Sequence, residues 1–290
     1  MRWRDGRRSG NVEDYRGRGG GGFGGGGGGG LKFGIGGLIA IAAAYFLGVD
    51  PRMIMSLLDA TGGAPAEVAN PETSAPQDEA GDFMSAVLAD TEDTWGQIFT
   101  AGGATYSPPR LRLFEGGTQT GCGAASADVG PFYCPADQRV YIDLGFYREL
   151  ASRFQAPGDF AQAYVLAHEV GHHVQNLLGT ADKVRAAQQR ASESERNQLQ
   201  VRMELQADCY AGIWANHAER SRQILESGDI EEALGAAAAV GDDLIQKRMQ
   251  GHVEPETFTH GTAAQRQKWF QAGFQGGQVK DCDTFATRSL

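Results

Sequence analysis

Hydrophobic and polar positions divide the 290-residue chain into stretches of different period. Residues 1–32 show no apolar period. Residues 33–49, FGIGGLIAIAAAYFLGV, are uncharged throughout. Residues 61–81 lose all period again and are rich in Pro, Ala, Gly and acidic side chains, the composition of a linker. Beyond residue 82 the patterning becomes that of a folded domain. Phe83, Val87, Leu88, Trp95 and Ile98 recur at helical spacing. Leu111 and Leu113 alternate with arginines in RLRLFEG (110–116), and Val140, Ile142 and Leu144 alternate in RVYIDLGFY (139–147), which predicts two strands. The glycine- and proline-punctuated stretch between them reads as a loop or short hairpin.

From residue 159 the pattern is helical. Asp159 is placed to cap a helix that Gly179 stops. Ser192 with Glu195 has capping-box spacing and opens a second helix reaching about residue 217. Further helices fit 229–249 and 262–273, the latter opened by Thr262 with Gln265. The expected fold class is α+β: a small antiparallel sheet, then a mostly helical half.

Charge changes how the first 81 residues are read. Residues 1–32 carry seven Lys/Arg against three acids, so the remaining 258 residues hold a net −14 of the total −10. An acidic body with a short basic terminus does not suit a nucleic-acid binder. Fourteen glycines in residues 1–30 predict a disordered tail (1–32). The apolar run 33–49 is at the short end of membrane-spanning length, and basic residues before it with Asp50 after it follow the positive-inside pattern. The expectation is a single-pass signal-anchor in the inner membrane with the N-terminus cytoplasmic, followed by a linker (50–81) and an extracytoplasmic domain (82–290). A cleaved signal peptide is the competing reading, on Ala40, Ala42 and Ala44. All four cysteines follow the run. Cys122 with Cys134 and Cys209 with Cys282 is the disulfide pairing favoured among the three possible.

The stretch AHEVGHHVQ (167–175) carries the candidate chemistry. In His-Glu-x-x-His, His168 and His172 lie one helical turn apart and can face one zinc ion, with Glu169 beside them. The long form with a third histidine is excluded, because Gln175 and Leu178 stand where it needs Gly and His. In VRMELQADCYAGIW (201–214), Glu204 can complete a His₂Glu site. Asp208, one turn on, can accept the spare ring N–H of a ligand histidine. The reverse assignment, Asp208 as ligand, stays open. His260, ahead of the last predicted helix, is the candidate oxyanion donor, with Tyr210 the weaker alternative.

HEVGHH with MELQADCYAG looks like the thermolysin-type arrangement. More closely, MRWRDGRRSGNVEDYRG, GPFYCPADQRVYIDLGFY, AYVLAHEVGHHVQ, ELQADCYAGIWA and THGTAAQRQKWFQAGF resemble the bacterial neutral zinc metallopeptidase family, from the N-terminus to residue 282. The resemblance implies a membrane-anchored peptidase-like protein, with Zn²⁺ on His168, His172 and Glu204 and with Glu169 as catalyst. The expected function is hydrolysis of peptide or protein substrates by a zinc-activated water, with strand 139–145 as the edge that pairs with substrate. Two alternatives stand beside it: a zinc-stabilised, catalytically silent tethered binding or assembly protein, and hydrolysis of a non-peptide substrate.

Overall fold

The computed structural model describes residues 1–17, 76–287 and 290. Its strands are β1 (Val12–Asp14), β2 (Arg110–Phe114), β3 (Gly117–Thr120), β4 (Gly123–Ser126), β5 (Phe132–Cys134) and β6 (Arg139–Asp143). Its α-helices are α1 (Glu79–Ala101), α2 (Gly145–Ser152), α3 (Asp159–Leu177), α4 (Thr180–Gln188), α5 (Glu193–His217), α6 (Asp229–Ala239), α7 (Asp242–Gln250) and α8 (Ala263–Gly276).

The class is α+β, but the main sheet is mixed where an antiparallel one was expected. Its order is β1-β2-β6-β5, with β1–β2 and β2–β6 parallel and β5–β6 antiparallel. Parallel pairing needs a long connection. The β3–β4 hairpin and β5 supply it, returning β6 in the direction of β2. The predicted strand 139–147 stops at Asp143, whose carboxylate accepts the Gly145 N–H as α2 begins.

The N-terminal expectation is overturned more sharply. Residues 1–17 are part of the folded body, because β1 joins the sheet alongside β2. Trp3 is buried edge-on against Phe83 of α1, with ring centroids 5.2 Å apart. Arg8 pairs with Asp82 at 2.6 Å, and Arg16 bridges Asp14 and Asp78. Arginines of the basic terminus are thus neutralised mostly by acids of α1 and the residue that caps it. The tail expected over 1–32 is thus corrected for residues 1–17, which share the domain's sheet, while residues 18–32 lie outside the described residues. Among the described residues no helix is long and apolar enough to cross a membrane, and the predicted anchor 33–49 lies outside them. The fold class is corrected accordingly: α+β with a mixed sheet and no spanning helix among its described elements.

Glu13 shows how the β1 strap, residues 1–17 laid along the sheet and α1, is held. Its carboxylate is buried between Arg112 at 2.8 Å and Arg110 at 3.0 Å. Burial alone would raise its pKa, but Arg112 and then Arg110 and Arg139 outweigh it and lower it. A lowered folded pKa gives stability that is present above the unfolded carboxylate value and lost as pH falls through the folded one. Glu13→Gln is therefore expected to cost about 1–3 kcal/mol in urea denaturation at neutral pH, since the arginines are only partly buried. The gap from wild type closes as pH drops through the Glu13 value; a gap independent of pH would show that charge is not what holds the strap.

The helices pack by close backbone approach. A Cβ on Gly273 of α8 would stand 1.9 Å from the Cys209 carbonyl oxygen of α5, and one on Gly171 of α3 would meet Ala207 of α5 at 3.0–3.3 Å. Helix α5 is therefore clasped between α3 and α8. The capping boxes Ser192/Glu195 and Thr262/Gln265 both form. Gly179 adopts the left-handed conformation just past α3. The cap at the other end of α3 is Gly158, and Asp159 is its first residue, pairing with the Met1 amino group at 2.9 Å. The predicted helix 229–249 is two helices, because Gly241 lies against Ala263, where a Cβ would meet its nitrogen at 2.4 Å. Both expected disulfides, Cys122–Cys134 and Cys209–Cys282, are present.

Candidate metal centre

The apolar face of α3, with Phe160, Tyr164 and Leu166 buried, sets the rotation of that helix. The four-residue spacing then places His168 and His172 on one side, ring centroids 4.8 Å apart. Because Gly171 lets α5 approach, Glu204 reaches the same point. Its Oε2 is 3.2 Å from His168 Nε2 and 3.5 Å from His172 Nε2. The donor atoms of His168, His172 and Glu204 all lie within 4.8 Å of one another.

Hydrogen bonding behind these donors decides whether they suit a cation. His168 Nδ1–H donates to Asp208 Oδ1 at 2.8 Å, and His172 Nδ1–H donates to Gln175 Oε1 at 2.9 Å. The Gln175 amide cannot turn round, because its Nε2 donates to the Met203 carbonyl at 2.7 Å and to Gln206 Oε1 at 3.1 Å. Both imidazoles therefore present Nε2 toward the Glu204 oxygen. Two lone pairs and a carboxylate aimed at one spot is a donor set that fits zinc, and rings fixed through Nδ1 are what such sites use. Gln200, one turn before Glu204, donates to its other oxygen at 2.8 Å.

Asp208 lies behind His168, so the open choice between the two acids falls to Glu204 as the one facing both histidines. Asp208 is fully buried and accepts from Arg266 Nε and Nη2 at 2.8 and 2.9 Å and from the Tyr164 hydroxyl. Burial would raise its pKa, but Arg266 and then His168 hold it below the usual carboxylate range. Burial likewise works against charge on His168, yet with no cation bound Asp208 and Glu204 lift its pKa to about 9, so a metal ion would displace the Nε2 proton to use that lone pair.

Glu169 and His260 line the same cleft as the three donors. Glu169 is buried, and burial raises its pKa above the ordinary carboxylate value. His260 is half-buried, with Nδ1 3.2 Å from Asp242 Oδ1. Partial burial opposes its protonation, but the Asp242 carboxylate, helped by Glu204, leaves its pKa raised. Asp242 also accepts the backbone N–H of Thr259, His260 and Gly261, so the loop carrying His260 is tied to the start of α7. Tyr210 is not in the cleft; it is buried edge-on against Trp95. His173 is in the core, between the Tyr133 hydroxyl and the Ser107 carbonyl.

Sequence reasoning missed Gln175, Arg266 and Tyr164. Gln175 had a local signal, since it stands three residues after His172 on the same helix. Arg266 had none: its partner is 58 positions away, and only the α5–α8 contact brings them together. A second acidic cluster, Asp159, Asp229 and Glu232, also has metal-like spacing, but the Met1 ammonium already lies 2.9 Å from Asp159 and 3.4 Å from Asp229.

A helix bearing His-Glu-x-x-His, joined by a carboxylate from a second helix with an acid one turn further on, defines the site of a zinc peptidase class. The chain belongs to the family described as "Putative neutral zinc metallopeptidase", which it matches over residues 1–285. It is 51% identical over 289 residues to an Escherichia coli (strain K12) protein called uncharacterised protein YpfJ, covering 98% of this chain and 99% of that one. It is 50% identical over 195 residues to an uncharacterised protein of Mycobacterium tuberculosis strain H37Rv, covering 64% of this chain and 65% of the relative. No solved structure matches.

Proposed function

We propose that the protein is a zinc-dependent peptidase whose general base is Glu169. The observation that carries the reading is a buried carboxylate opening on the same cleft as the His168, His172 and Glu204 donors. A bound zinc ion supplies Lewis acidity, lowering the pKa of water to about 7 and polarising a carbonyl. Glu169 takes the proton of the attacking water and returns it to the leaving amine. Burial raises its pKa, the direction that favours a carboxylate that must both take and return a proton. His260, held through Nδ1 by Asp242, is positioned to donate to the developing oxyanion.

An extended substrate needs a strand edge. Strand 139–145 was expected to provide it, but β6 lies inside the sheet, between β2 and β5. The sheet's edges are β1 and β5, and it is β5 whose Phe132 and Tyr133 line the cleft. A peptide pairing with β5 would lie along the wall of the cleft that holds Glu169 and the three donors. A silent, zinc-stabilised binding protein has no use for a buried acid beside the donor set.

The test is digestion of an unbiased peptide library by the full chain. Cleavage is expected to disappear on chelation and return with added zinc. A zinc-replete protein that cuts no member of the library would overturn the proposal.

A further inference from the structure

We infer that the pocket between α3, α4 and α5 beside the metal centre is a subsite that receives one small side chain, alanine or serine, of a polypeptide substrate. This rests on the peptidase reading and adds to it which residue is selected. Three elements run from the cleft into the pocket. On α3, His168 and Glu169 line the cleft, His172 lines both spaces, and Asn176, one turn further, lines the pocket. Along β5 and just past its end, Phe132 lines the cleft, Tyr133 both, and Pro135 the pocket. On α5, Glu204 lines the cleft while Met203 and Gln200 line the pocket. A chain laid along the β5 edge from the cleft therefore meets the pocket within about three residues, roughly 10 Å of extended backbone.

Size and chemistry choose the occupant. The free space is about 30 Å³, on the scale of one water molecule, so it admits a side chain of one or two heavy atoms. Pro135, Ala181, Val184 and Met203 supply apolar walls. Among the described residues no carboxylate lines the pocket, and Arg185 at its side already donates to Asp182 at 3.0 Å. A basic side chain would find no partner there. Gln200 is buried, and its Nε2 is committed to Glu204 at 2.8 Å, which leaves Oε1 a buried acceptor with no partner among the described residues. An unmet buried acceptor is costly, and a serine hydroxyl is a donor small enough for the space.

The experiment measures, by calorimetry, binding of the N-acetyl hydroxamates of alanine, serine and phenylalanine to the zinc-loaded full chain. A hydroxamate binds zinc and so presents its side chain beside His172 without any hydrolysis. The alanine and serine compounds are expected to bind about tenfold more tightly than the phenylalanine one, because overfilling a small pocket forces its walls apart. Met203→Ala enlarges the pocket and keeps the main-chain carbonyl that holds Gln175. It should close that gap to about twofold with zinc content unchanged. Val184→Ala, on a helix that supplies none of the three donor atoms, should narrow the gap as well and serves if Met203→Ala does not fold. Equal binding of the three compounds by wild type overturns the subsite. So does a wild-type preference that neither variant alters, since the cleft itself would then set it. A protein that ranks the compounds as expected but cleaves no peptide keeps the subsite and loses the peptidase reading alone.

Discussion

Replacing Glu169 with Gln is expected to lower kcat by about 10²–10⁴-fold while leaving zinc content and fold intact. Gln has the shape of the carboxylate but cannot accept a proton at working pH. The side chain is buried, so a neutral amide there is less costly than a charge, and thermal stability should hold or rise. None of the three donor atoms that converge belongs to Glu169, so zinc bound per chain, measured by atomic emission, should not change. Turnover that survives the substitution would remove Glu169 as base. Loss of zinc would mean that it serves as a ligand.

Asp208→Ala is expected to do damage of a different kind. Asp208 is fully buried and binds three groups: the Arg266 guanidinium in two-pronged fashion, the Tyr164 hydroxyl and His168 Nδ1. Its removal strands a buried Arg266, which keeps the Tyr164 hydroxyl at 3.3 Å, the Val240 carbonyl at 3.4 Å and His168 Nδ1 at 3.4 Å but no carboxylate beside it. Taking one partner from a buried ion pair costs about 3–5 kcal/mol. It also frees the His168 ring to rotate, and loss of such a support weakens metal affinity by about 10–100-fold. Denaturation and competition with a zinc-chelating dye read the two effects separately. Asp208→Asn, which keeps an acceptor for His168 but cannot answer the guanidinium, should lose stability with a smaller change in zinc affinity. Wild-type zinc affinity in Asp208→Ala would show that the carboxylate does not orient the ligand.

Much of the site was legible because it is written in short spacings. His168 to His172 and Glu204 to Asp208 are each one helical turn, and Ser192/Glu195 and Thr262/Gln265 fix where two helices begin. Such patterns depend on local geometry, which survives whatever the rest of the chain does. The β1 strap was illegible for the opposite reason. Val12-Glu13-Asp14 sits in a segment of arginine and glycine, and its central acid is buried only because arginines 97, 99 and 126 residues away surround it. Nothing in the composition distinguishes a paired charge from a solvated one. The break between α6 and α7 was hidden similarly: Gly241 is an ordinary helix interruption until Ala263 comes against it.

The sequence by itself determined the chemistry on offer: two imidazoles one helical turn apart, two acids at the same spacing on a later helix, and the caps. Each depends on groups a few residues apart. Only the tertiary structure decided which acid faces the histidines, which residue holds each imidazole, which strand is the edge, and that residues 1–17 belong to the domain. Those outcomes turn on side chains tens of positions apart meeting in a buried place, where a charge is tolerated only if the fold brings its partner.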